Sequence, residues 1–175
     1  MKKKGLLIFF TLLLIVGITS LTNAMPRGFQ LRLGPGLGFT LVDKLKAGNS
    51  LSDFSYQFWA QSSYYFTKSL GITLESGYHH LYRENLKDTE SVPILGLFSL
   101  SFWDTVQIQW GMGLYFPVGH NEKTRFGMPF RGDYYVFFSK KLYISVGVAT
   151  DLVFKTSSEN FALPITFRSG LGILF

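Results

Sequence analysis

The side chains able to do chemistry are few, and their spacing restricts what they can do. There is no cysteine, which removes a disulfide framework, a thiolate metal site, a Cys nucleophile and a lipidated-Cys anchor together. Three histidines are present, at positions 79, 80 and 120. His79 and His80 are adjacent, and on a β-strand neighbouring side chains point to opposite faces, so the two cannot chelate one metal. His80 falls in step with Tyr78 and Tyr82 on an apolar face. It reads there as an interfacial residue or, alternatively, as the base of a lipid-hydrolysing or acyl-transferring site. Such a site needs a nucleophile beside an oriented base, yet no histidine has a serine within two residues; Ser99 or Ser101 could approach only through cross-strand pairing. His120 reads as a solvated loop residue. The stretch Gly34-Pro35-Gly36-Leu37-Gly38 superficially resembles a phosphate-cradling loop, but no helix follows for it to cap. The expectation is a non-enzymatic protein with no catalytic residue, metal site or cofactor.

The elements that must carry these residues are strands. Alternation between apolar and small or polar residues recurs along the chain, as in Phe29, Leu31, Leu33, Pro35, Leu37, Phe39 against Gln30, Arg32, Gly34, Gly36, Gly38. Val106, Ile108, Trp110, Met112, Leu114, Phe116 against Thr105, Gln107, Gln109, Gly111, Gly113 is equally clean. The pattern predicts strands over 28–42, 53–66, 70–82, 92–103, 105–117, 129–139, 142–155 and 161–175. In the fourth, Leu95 and Leu97 fall on the polar face, so 92–98 could instead be buried on both sides. Each run exceeds the ~5–6 residues usual for a strand in a soluble protein. Short connections (67–69, 104, 140–141) alternate with longer polar ones (43–52, 83–91, 118–128, 156–160), the rhythm of an up-and-down membrane barrel.

Residues 1–24 stand apart. Lys2-Lys3-Lys4, an apolar run from Gly5 to Ile18 and a polar exit ending at Ala24 have the form of a secretory signal peptide cleaved after Ala24. A retained anchor is the alternative, but the apolar run is shorter than the ~20 residues a spanning helix needs. Cleavage removes three lysines and lowers the net charge from +6 to +3, and no basic stripe remains that could neutralise nucleic-acid phosphates. Residues 25–175 form one domain.

Alternation alone does not say which face meets water. A solvated face normally carries Lys and Glu, whereas the lysines after the leader (44, 46, 68, 87, 123, 140, 141, 155) all fall in predicted turns, loops or strand ends. The polar face instead carries Gly, Ser, Thr and Gln, which suit the inside of a narrow barrel. The oily face therefore meets lipid, with Tyr near strand ends. Hydrocarbon offers no partner to a bare sheet edge, so strand 8 must close on strand 1. The expected fold is an all-β, eight-stranded antiparallel up-and-down transmembrane barrel. Parity places Arg32, Glu75, Arg131, Asp133, Asp151 and Arg168 in its lumen, three of each sign. Solitary buried charges are expensive, so this balanced set should pair and plug the bore; a charged constriction in a narrow channel is the alternative. Trp59 and Tyr65, also inward, read as lumen filler or as the lining of a small apolar pocket.

The chain ends Arg168-Ser169-Gly170-Leu171-Gly172-Ile173-Leu174-Phe175. This resembles the terminal strand by which Gram-negative outer-membrane barrels are recognised for insertion, with Arg168, Gly170, Ile173 and Phe175 in the characteristic places. Tyr64 to Ile72 is similar to a strand-turn-strand of the opacity-like and outer membrane protein A-like eight-stranded barrels. The resemblance implies an integral protein of the bacterial outer membrane. Its implied partners are membrane lipid, the barrel-assembly machinery during insertion and an extracellular partner at the loops, and its implied state is monomeric. It leaves three roles open: structural or surface-interaction protein, narrow conduit for small or hydrophobic solutes, and outer-leaflet lipid-modifying enzyme. No peptidoglycan-binding domain of the outer membrane protein A kind is expected after Phe175.

Overall fold

The computed structural model describes residues 28–40, 54–81, 89–103, 105–119, 123–154 and 161–175. The expected signal peptide, Tyr82, His120 and lysines 44, 46, 87 and 155 lie outside the described residues. The strands are β1 (Gly28–Thr40), β2 (Phe54–Tyr65), β3 (Leu70–Leu81), β4 (Thr89–Phe102), β5 (Val106–Pro117), β6 (Arg125–Phe137), β7 (Leu142–Phe154) and β8, which runs as Phe161–Ala162 and Pro164–Leu174 on either side of Leu163. Every strand pairs antiparallel with its sequence neighbour, and β8 pairs back onto β1 from Gln30↔Leu174 to Thr40↔Pro164. The sheet is closed, so no edge remains unpaired. The result is an eight-stranded up-and-down barrel of the transmembrane kind.

Its surface is inverted relative to a soluble protein. Leu31, Leu33 and Leu37 of β1, Ile72 and Leu74 of β3, and Val146 and Val148 of β7 are exposed, while Arg32, Gln61, Glu75, Gln109 and Arg131 are buried. Among the described residues every lysine (68, 123, 140, 141) stands in a turn or just outside a strand. Charge is thereby kept out of the apolar band. Aromatic residues mark the turn end, where Phe66, Trp103, Phe138 and Phe175 are all exposed.

The observed bounds correct two expectations. β4 begins at Thr89 and β6 at Arg125, both earlier than the alternation suggested. Each predicted start lay at or beside a proline, Pro93 and Pro129, and proline donates no ladder hydrogen bond. In the barrel both sit inside their strands, facing the lumen and fully buried. The ladder is interrupted around them: β3–β4 pairs through Ser76↔Ile94 and resumes at His79↔Ser91, and β5–β6 pairs through Trp110↔Phe130 and resumes at Gly113↔Gly127. At Pro93 the freed carbonyl is taken up by Ser76 Oγ, which donates to it at 2.8 Å. Pro35 does the same in β1, where pairing to β8 stops at Leu33↔Leu171 and resumes at Gly36↔Arg168, and Trp59 Nε1 donates to its carbonyl at 3.3 Å.

Leu95 and Leu97 point into the lumen, while Val92, Ile94 and Phe98 on the same strand are exposed, so β4 is not buried on both faces. The bore is packed by setting large side chains over glycine. A Cβ on Gly170 would come within 2.5 Å of the Trp59 ring, and one on Gly172 within 2.1 Å of Tyr143. Overpacking of this kind costs about 1–3 kcal/mol. Gly172→Val should therefore lower the guanidinium midpoint of the refolded barrel, whereas Leu171→Val on the outer face should leave it nearly unchanged. In unheated detergent the wild-type protein should migrate differently from a boiled sample; identical mobility would count against a closed barrel.

Candidate functional site: the charged lumen

The six charges assigned to the lumen come from five different strands, and closure brings them together as a chain of alternating sign. Arg32 Nη2 of β1 lies 3.0 Å from Asp133 Oδ2 of β6. Asp133 also accepts from Arg168 of β8 through both carboxylate oxygens, Nε to Oδ1 at 2.9 Å and Nη2 to Oδ2. Arg168 Nη1 donates to Glu75 Oε2 of β3 at 2.9 Å. Glu75 Oε1 accepts from Arg131 Nη2 at 2.7 Å and Nε at 3.1 Å. Arg131 Nη1 donates to Asp151 Oδ1 of β7 at 2.5 Å. The chain ends at His79 of β3, whose Nδ1 lies 3.6 Å from Asp151 Oδ2. Side-chain exposure along it is nowhere above 5%.

Neutral groups complete the coordination. Gln61 accepts from Arg32 Nε at 3.1 Å and donates to Glu75. Gln109 Oε1 accepts from Arg32, Gln61 and Arg168 at 3.1–3.4 Å, and its Nε2 donates to Thr73 Oγ1 at 3.0 Å and Ser99 Oγ at 2.9 Å. Arg131 Nη1 also reaches the carbonyls of Phe130 and Thr150, both at 3.0 Å. Trp59 lies against two guanidinium groups, 5.1 Å from Arg32 and 4.7 Å from Arg168, so this ring contributes cation–π stabilisation and not the wall of an empty pocket. Toward the turn end Tyr65, Tyr135, Tyr143 and Leu174 form an apolar cluster, joined by Phe137. Arg32 Nη1 donates to Tyr135 Oη at 2.6 Å, tying that cluster to the charges. Leu95, Leu97, Tyr115 and Val153 form a second cluster.

The histidines part as their alternation requires. His80 faces outward at the loop end, stacked on Tyr56 with ring centroids 4.6 Å apart, its Nδ1 3.7 Å from Glu90 Oε1. Ser99 and Ser101 lie inside the lumen; Ser99 bonds Thr73 and Gln109, and Ser101 N bonds the carbonyl of Ser69 in a turn. Wall and barrel length separate them from His80. His79, by contrast, escaped sequence reasoning as a lumen residue. Its parity with Glu75, four residues earlier on the same strand, is the signal that places it there. At the C-terminus Arg168 faces the lumen, Gly170 makes room for Trp59, Ile173 is half-buried, and Phe175 is exposed with its ring 5.8 Å from Phe29.

A closed inside-out barrel with an ion-paired lining defines a class, that of small transmembrane β-barrels. No protein-family model and no curated protein sequence matches the chain. Solved structures do. Neisserial surface protein A (NspA) superposes with a TM-score of 0.58 at 12% identity, covering 85% of this chain and 97% of that one. Ail, the attachment invasion locus protein of Yersinia pestis, gives 0.54 at 12%, covering 86% and 100%. The outer membrane protein OprG from Pseudomonas aeruginosa gives 0.54 at 12%, covering 87% and 98%. The fold is thus that of the small eight-stranded outer-membrane barrels, the group the sequence resembles.

Removing one partner of a buried ion pair costs about 3–5 kcal/mol because the other charge is stranded. Glu75→Gln, which leaves both Arg131 and Arg168 a carboxylate short, should destabilise the folded barrel by roughly that amount in guanidinium titrations. Asp151→Asn should cost less, since Arg131 keeps Glu75 and two backbone carbonyls.

Proposed function

We propose that the chain is a non-enzymatic integral protein of the bacterial outer membrane whose barrel is sealed to solutes and serves to hold surface loops in place. The observation that carries this reading is the alternating charge chain from Arg32 to Asp151, which crosses the bore with every member buried. Three arginines against three acids leave no net charge to attract a permeant ion. The tyrosine cluster below the chain adds a second, apolar barrier. Outer-membrane residence is supported by the apolar outward band, by the terminal residues Arg168, Gly170, Ile173 and Phe175 acting as the insertion signal, and by the fold shared with NspA, Ail and OprG. Membrane lipid and the barrel-assembly machinery are then its obligatory partners, and any extracellular partner meets the loops. A closed sheet leaves no strand edge to pair with another copy, which favours a monomer.

Single-channel recording of the refolded protein in planar bilayers tests the seal. The expected result is no steady current for wild type and a measurable leak for Glu75→Ala, which deletes the central carboxylate of the chain. A stable ohmic conductance of the wild-type barrel would overturn the sealed reading in favour of a narrow conduit.

A further inference from the structure

The outer wall of the barrel is not uniformly smooth. Near the turn end it carries an open groove of about 520 Å³ over β1 to β4. Cross-strand register shows how the sequence makes it. One row of outward side chains, Phe29↔Tyr64↔Ile72↔Phe98, is large and exposed throughout and forms the wall on the turn side. The next row, Ser62↔Leu74↔Gly96, has a small residue on each side of Leu74, so the surface dips there. A Cβ on Gly96 would meet nothing closer than the Met112 carbonyl oxygen at 3.9 Å, so this dip is open space and not a packed contact.

In a membrane such a space is filled by hydrocarbon. An acyl chain gains no hydrophobic free energy by leaving bulk lipid for a protein surface, so what the groove offers it is close contact on several sides. The polar end of the same molecule is also provided for. Ile72 stands about 7 Å along β3 from the turn end of the strand at Leu70. Beyond Leu70, exposed in the β2–β3 turn, is Lys68. The turn is braced by Thr67 Oγ1, which accepts from the backbone N–H groups of Ser69 at 3.2 Å and Leu70 at 2.8 Å. Among the described residues no carboxylate pairs with Lys68. Its ammonium is therefore free to meet a phosphate carried just outside the apolar band. A headgroup that holds its own ammonium already neutralises its phosphate, so a net-negative headgroup gains most from this lysine. Short turns of outer-membrane barrels face the periplasm, which makes the lipid a glycerophospholipid of that leaflet.

We propose that the groove over β1 to β4 is a binding site for one anionic phospholipid, with an acyl chain lying against Ser62, Leu74 and Gly96 and the phosphate paired with Lys68. The site rests on the membrane reading of the barrel and is independent of the seal in its lumen.

The test is native mass spectrometry of the refolded, detergent-solubilised barrel titrated with dioleoyl phosphatidylglycerol or dioleoyl phosphatidylcholine. The expected result is one adduct formed ahead of all others, with phosphatidylglycerol preferred. Lys68→Gln should lower that preference about fivefold, the share of one lysine at a membrane surface. Gly96→Leu fills the dip and should abolish the favoured adduct with both lipids. Gly132→Leu, on the outer face of β6 with equally open space around it but outside the groove, should leave the adduct intact. Dihexanoyl phosphatidylglycerol, whose chains are too short to fill the groove, should not form it with the wild-type barrel, which tests the groove even if Gly96→Leu fails to fold. A statistical ladder of adducts with no favoured first one, equal binding by the Gly96 and Gly132 variants, equal binding of the short-chain lipid, or an unchanged preference in Lys68→Gln would each overturn the proposal. Conductance of the same preparation keeps the two ideas apart: a current with the adduct present sinks the seal alone, and a silent barrel without a favoured adduct sinks the site alone.

Discussion

Hydrocarbon cannot accept or donate a hydrogen bond, and the rest of this structure follows from that. A sheet placed in such a solvent must satisfy every backbone group internally, so β8 closes onto β1 and no edge is left. Closure at eight strands makes a bore too narrow for two layers of side chains, and it turns the alternation of each strand into a hard partition. What faces out must be apolar and what faces in must pack. The glycines beneath Trp59 and Tyr143 are consequences of that crowding, since a large ring on one strand needs a neighbour with no side chain.

The same narrowness governs the charges. In a wide aqueous channel Arg32, Arg131 and Arg168 could each be solvated, but here water is displaced by Trp59, Tyr135 and Leu95, all fully buried. A guanidinium group in that setting must find carboxylates, and the three acids are placed so that each except Asp151 bridges two arginines. The alternating order is what makes the arrangement stable, because every internal charge has opposite charges on both sides and like charges are kept apart. Gln61 and Gln109 then serve the donors and acceptors that the ions leave over.

Much of this was legible from residue order, because a period of two in a strand is a local property. The alternation in β1 and β5 marked the faces, the confinement of lysine to turns marked which face meets lipid, and parity marked the six lumen charges. Proline misled, since Pro93 and Pro129 read as places where a strand begins. A ladder gap can be tolerated inside a strand when a hydroxyl such as Ser76 or a neighbouring strand makes up the loss, and that compensation is not a local property. Leu95 and Leu97 looked like evidence for a strand buried on both sides, yet a lumen holding an apolar cluster beside its charges accommodates them.

Residue order by itself determined that there are eight amphipathic strands, which side chains share a face, and that the inner face carries balanced charge, because each follows from alternation within a strand and from solvent preference. Only the tertiary structure decided which charge meets which, that Glu75 stands at the centre of the chain, and that His79 terminates it beside Asp151. Partners across a bore are set by strand register and by the stagger with which the sheet closes, and those depend on all eight strands at once.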